Sequence, residues 1–199
     1  MPTEAVLFDL DGVLIDSRPV WFELLNGAAR HFGHPLLGRE VFDASFGQGV
    51  EADANQFFGG MPPAELEAWF DAHFLDHADQ ICVEPDAGAV FQALSQRGLS
   101  RAVVTNSSRA LAAEVLRAAG LEPDALVASS DVPRPKPAPD GLLRACQLLG
   151  VDASAARMVG DSRFDREAAD AAGVPFVGYR TAGPRRIERL SELLFLDAA

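Results

Sequence analysis

From residue 84 onward, short apolar runs alternate with segments of helical periodicity. The stretch DAGAVFQALSQRG (86–98) places apolar residues at helical spacing and stops at a glycine. SRAVVTN (100–106) reads as a short buried strand, and SRALAAEVLRAAG (108–120) as a helix closed by glycine. The alternation continues with strand DALVAS (124–129), helix APDGLLRACQLLG (138–150), strand ARMVGD (156–161), helix RFDREAADAAG (163–173) and strand PFVGY (175–179). Near the start, Ala5-Val6-Leu7-Phe8 forms one more apolar run, ending at Asp9. Apolar runs between capped helices signal a parallel sheet covered on both faces. Right-handed crossovers then make a doubly wound, Rossmann-like α/β sheet of five strands the expected core.

Residues 17–83 break this rhythm. PVWFELLNGAARHFG (19–33) and PPAELEAWFDAHFLDHAD (62–79) are amphipathic helical stretches, with shorter helical pieces and the glycine-marked FGQGVEA (46–52) between them. No strand is expected there. The pattern predicts a core of residues 1–16 and 84–199, with a small all-helical insert, 17–83, placed after the first strand.

Charge narrows the function. The formal net charge is −12 over 199 residues, which repels nucleic acid and anionic membranes as general partners. No apolar run approaches a bilayer span, and the N-terminal residues lack the pattern of a secretory signal. Two cysteines, Cys82 and Cys146, without motif spacing, suit reduced, at least half-buried thiols in a cytoplasmic protein. Sixteen arginines stand beside a single lysine, Lys136, so that position is a candidate for a site needing a compact ammonium.

In an open parallel sheet, ligands bind beyond the carboxyl ends of the strands. The residues just past each strand are Asp9 and Asp11, then Thr105, Asn106 and Ser107, then Asp161, Ser162 and Asp165, with Lys136 in the proline-rich RPKPAPD. Asp9 and Asp11 lie two apart, on one face of an extended chain, where like charges repel unless a cation compensates. Carboxylates, hydroxyls and one ammonium at one edge suit phosphoryl transfer: Asp9 and Asp161, with an oxygen of Asp11, for a hard octahedral Mg²⁺, and Thr105 and Lys136 for the phosphoryl oxygens.

FDLDGVL, VVTNSS, RPKPAPD and MVGDSRFDREAADAAG, in this order, resemble the four signature motifs of the haloacid dehalogenase-like (HAD) hydrolase superfamily. The likeness is to its helical-cap branch of phosphoglycolate phosphatases and β-phosphoglucomutases, and covers 1–16 and 84–199, with 17–83 in the place of the cap. The resemblance implies a Mg²⁺-dependent phosphatase acting on a small phosphorylated metabolite, through an aspartyl-phosphate on Asp9. It implies Asp11 as general acid and base, with its main-chain carbonyl on the metal. It implies Thr105, Asn106 and Lys136 for phosphate, Asp161 as a metal ligand and Asp165 behind Lys136 or a metal-bound water. It also implies a central first strand, between those carrying Thr105 and Asp161. A monomer or weak homodimer is expected.

Two alternatives accompany that reading: a phosphosugar mutase of the β-phosphoglucomutase type, and a catalytically silent binding protein. The mutases are similar in core and cap, but carry a histidine where this chain has Trp21. A silent relative would lack the nucleophile, a metal ligand or the lysine, and all are present. The helical spacing of His73 and His77 allows a metal pair but lacks the adjacent glutamate of a metalloprotease, so a surface pair is expected. Trp21, Phe22, Trp69 and Phe70 read as packing residues, one of them open to the pocket. For 46–52 two readings stand, a loop reaching the active site and a plain interhelical turn. The insert holds three arginines, Arg18, Arg30 and Arg39, against ten carboxylates, and two readings stand: it suits a neutral leaving group unless one arginine, with Arg18 first in line, points inward, or most of the carboxylates lie on the outer face, screened by water and silent about the substrate.

Overall fold

The computed structural model describes residues 2–196; residue 1 and residues 197–199, the ends of the expected core range, lie outside the described residues. The chain runs β1 (Ala5–Phe8), β2 (Ile15–Asp16), α1 (Arg18–Phe32), α2 (Arg39–Ser45), α3 (Val50–Phe57), α4 (Pro63–His73) and β3 (Cys82–Val83). It continues with α5 (Ala87–Gln96), β4 (Ser100–Val104), α6 (Arg109–Ala119), β5 (Ala125–Val127), α7 (Asp140–Leu149), β6 (Ala156–Gly160), α8 (Arg163–Ala172), β7 (Phe176–Tyr179) and β8 (Arg185–Ile187).

The main sheet has six strands in the order β5-β4-β1-β6-β7-β8, and every pairing is parallel. β1 is central, with Phe8 opposite Val103 on one side and Val159 on the other. That register puts the residues after β1, β4 and β6 side by side at one edge. Successive β1 side chains enter opposite cores, as strand geometry requires. Val6 and Phe8 join the core that holds Phe91, Leu94, Leu111 and Val115 of α5 and α6. Ala5 and Leu7 join the core that holds Leu142, Ala145, Ala168 and Ala169 of α7 and α8. This is the doubly wound arrangement.

The sixth strand, β8, was not among the five expected. Its Arg185 and Arg186 are exposed and only Ile187 is buried, so this edge strand carries no apolar run. The insert is bracketed by a two-residue antiparallel ribbon in which Ile15 pairs Val83 and Asp16 pairs Cys82. Such short pairings leave no periodic trace, and the expectation of no strand after Ser17 fails at Cys82–Val83. The helix expected over 62–79 stops at His73 and continues as a 3₁₀ segment in which His77 has φ −114° and ψ 17°. His73 stacks on Trp69 at 4.2 Å between ring centroids, and the helical spacing that would pair it with His77 is lost. Both cysteines are free; Cys146 is buried, whereas Cys82 is exposed rather than half-buried. Among the described residues no helix is long and apolar enough to cross a membrane.

Candidate active site

The site starts at the turn after β1. Asp9 keeps the strand's pairing through its amide, which donates to the Val159 carbonyl at 2.9 Å. The Leu10 amide then donates back to Asp9 Oδ1 at 2.8 Å, fixing that carboxylate. Gly12 turns the chain with φ +88°, a conformation that favours glycine. A Cβ there would sit 2.2 Å from Asp161 Oδ2, so the backbone's approach to Asp161 also requires the glycine.

Lys136 Nζ donates to Asp9 Oδ1 at 2.7 Å, to Asp165 Oδ1 at 2.6 Å and to the Val104 carbonyl at 2.9 Å. Its three hydrogens thus have three partners, and the side chain is buried. Burial works against its charge, but the carboxylates of Asp165 and Asp9 outweigh it and hold the ammonium above the ordinary lysine pKa. Asp165 has two tasks. Its Oδ1 takes the lysine, while its Oδ2 accepts from the amide of Ser162, at 3.1 Å, and from its hydroxyl, closing a capping box at the start of α8. Helix capping and a partnership with Lys136 are both present, one on each oxygen.

Asp11 is held by three donors. The hydroxyl of Ser17 (2.5 Å) and the indole N–H of Trp21 (2.9 Å) donate to Oδ1, and the hydroxyl of Ser107 donates to Oδ2 at 2.7 Å. Ser17 and Trp21 lie four apart where α1 begins, the spacing that puts two side chains on one helix face. The sequence reading missed this clamp. Its only trace is that spacing, beside an aspartate six residues before Ser17. Trp21 packs edge-on to Phe70, at 5.4 Å, as a packing residue should, and also faces the pocket.

Asp9, Asp11, Thr105, Asn106 and Lys136 line one pocket, together with Phe46, Gly47, Gln48, Gly49 and Val50. The segment 46–52 therefore reaches the site. Asn106 ties it there: its Nδ2 donates to the carbonyls of Gly47 (2.9 Å) and Lys136 (2.8 Å), and its Oδ1 accepts from the Lys136 amide at 2.9 Å. The Asn106 side chain is thus spent on two loops rather than left free for a phosphate. Thr105 Oγ1 accepts from the Ser107 amide at 3.0 Å and keeps its own hydrogen for another acceptor.

Asp161 lies on the other side of Asp9. Arg18 Nη2 donates to Asp161 Oδ2 at 2.6 Å, with its guanidinium 4.2 Å from the Phe46 ring centroid. Arg18, first in line to meet the leaving group, instead holds this carboxylate. Asp161 Oδ1 is buried and accepts no hydrogen bond. Burial and the Asp165 charge push the Asp161 pKa up to about 6, against the pull of Arg18. Burial, followed by Asp165, also pushes Asp9 well above the ordinary range, with Lys136 pulling the other way. Asp9, Asp161 and Asp165 each bring one carboxylate oxygen within 4.8 Å of the others. Crowded carboxylates with one orphaned oxygen are the donor set a hard divalent cation takes, so these residues fit Mg²⁺. Since Asp165 is committed to Lys136 and Ser162, Asp9 and Asp161 are the carboxylates that would hold it.

Residues 3–173 match the family model described as haloacid dehalogenase-like hydrolase. A phosphoglycolate phosphatase of Cupriavidus necator is 36% identical over 195 residues, 92% of this chain and 84% of that protein. Among solved structures, CbbY of Rhodobacter sphaeroides, in complex with phosphate, superposes with a TM-score of 0.83 at 23% identity, covering 96% of each chain. The β-phosphoglucomutase of Clostridium difficile gives 0.84 at 17% identity, covering 96% of this chain and 93% of that one. At these identities the two structures show a shared fold.

Proposed function

This chain belongs to the haloacid dehalogenase-like hydrolase family, and on that premise we propose that it is a phosphatase that hydrolyses a small phosphomonoester, with Asp9 as nucleophile. The observation that carries this reading is the pocket itself, where Asp9, Asp11, Thr105 and Lys136 share one concave surface. A Mg²⁺ ion held by the Asp9 and Asp161 carboxylates and the Asp11 main-chain carbonyl would supply positive charge to the phosphoryl oxygens.

A carboxylate oxygen of Asp9 attacks phosphorus, forming an Asp9–phosphorus bond as the bond to the ester oxygen breaks. Asp11 gives its proton to the departing alkoxide. Water then attacks the aspartyl-phosphate while Asp11 takes a proton from it, and Asp9 leaves as a carboxylate. Ser17, Trp21 and Ser107 keep Asp11 aimed through both steps. Lys136 fixes Asp9 and offsets charge on the phosphoryl group, with Asp165 holding the lysine. The free hydrogen of Thr105 is directed to a phosphoryl oxygen.

In this reading residues 17–83 are a cap, residues 1–16 and 84–199 the core, and the β2–β3 ribbon the joint between them. Beyond the Ser17 and Trp21 bonds to Asp11, cap and core are latched by Asn106 to Gly47, Ser108 to Asp71 at 2.6 Å, and Arg18 to Asp161. Closure sheds bulk water and admits only a small ester. Trp21 on Asp11 favours hydrolysis over the mutase alternative. The test is phosphate release from para-nitrophenyl phosphate. Activity with Mg²⁺, lost in EDTA and restored by Mg²⁺, is expected; no turnover with Mg²⁺, or full turnover after chelation, overturns the proposal.

A further inference from the structure

The wall of the pocket facing the catalytic residues is supplied by the insert. Its apolar part includes Leu25, Phe42, Phe46, Val50 and Phe70, and its charged groups are Asp53, Glu67 and Asp71. Among the described residues no arginine lines the pocket, and the one cation that does, Lys136, has all three hydrogens engaged. The three arginines of the insert are turned elsewhere. Arg18 is on Asp161, Arg39 lies 3.9 Å from the Phe22 ring centroid, and Arg30 is exposed.

The three carboxylates keep unused acceptor capacity. Asp53 is buried and takes Gln48 Nε2 at 2.7 Å, and Asp71 takes the Ser108 hydroxyl. A carboxylate can accept more than one hydrogen bond. The first amides of α3, after Gly49, are an anion-favouring feature of this wall, and the acidic Glu51 and Asp53 already occupy that first turn.

We propose that this wall selects a leaving alcohol bearing hydrogen-bond donors, hydroxyls or an ammonium, and rejects one bearing a carboxylate, with Asp53, Glu67 and Asp71 as the discriminating residues. The proposal rests on the phosphatase reading and names its substrate class. Donors on the leaving group satisfy the spare lone pairs. A carboxylate there meets Glu67 and Asp71, and Asp53 as it ionises near pH 7, in a partly apolar wall where the arginines of the insert are turned elsewhere. It thereby separates this chain's preference from the substrate in the name of its Cupriavidus necator relative.

The test ranks kcat/KM for phosphoglycolate, glycerol 3-phosphate, ribose 5-phosphate and phosphoethanolamine at one ionic strength, with Mg²⁺ and with para-nitrophenyl phosphate as reference. At least one hydroxylated or ammonium ester is expected to exceed phosphoglycolate by about tenfold or more. The double variant Asp53→Asn, Glu67→Gln is expected to narrow that ratio. Phosphoglycolate turned over as well as or better than the others overturns the proposal. So does an unchanged ratio in the variant. Hydrolysis of para-nitrophenyl phosphate with phosphoglycolate leading leaves the phosphatase reading standing and sinks only this one. Failure to hydrolyse any ester sinks both.

Discussion

Replacing Lys136 with arginine keeps the charge and changes only its shape. The ammonium meets three acceptors that converge on one atom, at 2.7, 2.6 and 2.9 Å. A guanidinium spreads its donors over a planar fork and cannot direct three of them to one point. At least one charge-assisted hydrogen bond is lost, a contact of about 1.5–3 kcal/mol. If that loss falls on the transition state, kcat/KM drops by roughly 10–150-fold. Lys136→Met removes the charge and leaves Asp9 and Asp165 buried without it. Breaking such a pair costs about 3–5 kcal/mol, a fall in Tm of roughly 6–20 °C for a chain of this size. The assays are initial rates with para-nitrophenyl phosphate at saturating Mg²⁺, and thermal unfolding followed by circular dichroism. Arginine within a factor of two of wild type would show that the shape of the cation is incidental. Methionine as stable as wild type would refute the electrostatic account of the cluster.

Trp21→Phe keeps the packing against Phe70 and removes one of the three donors to Asp11, so kcat should fall by about tenfold with little change in KM; an unchanged kcat would show that Ser17 and Ser107 suffice. Asp53 gives a pH-dependent stability. Burial pushes its pKa up to about 7, so the folded protein retains a proton that the unfolded chain releases near its ordinary value of about 4. The stability this group contributes is present below about pH 4 and lost as pH rises towards 7. Asp53→Asn should therefore gain on wild type across that window, by on the order of 3–4 kcal/mol in urea unfolding; a difference that does not change with pH refutes the assignment.

Much of this was legible in the chain because apolar runs and glycine stops are local signals. β1, β4, β6 and the helices after them follow from such runs, and with them the edge where Asp9, Thr105 and Asp161 meet. β8 was illegible because two of its three residues are exposed arginines held by pairing to β7, not by burial. The clamp on Asp11 left only the four-residue spacing of Ser17 and Trp21 in the sequence, because their meeting with Asp11 depends on how α1 leaves the β1 turn. Arg18 shows the same limit. Its charge and its place near the joint were readable, but the partner that claims it, Asp161, lies 143 residues away. Asn106 was expected to meet phosphate from its place in VVTNSS, yet its side-chain amide is drawn to two backbone carbonyls that only the folded loops supply.

The central claim is that phosphoryl transfer passes through Asp9. Acid quench during steady-state turnover, followed by peptide mass mapping, tests it most directly. The account predicts one phosphoryl group on the peptide containing Asp9, absent from Asp9→Asn, which should be folded and inactive. A phosphoryl group on another residue, or near-normal turnover by pure Asp9→Asn, would contradict it.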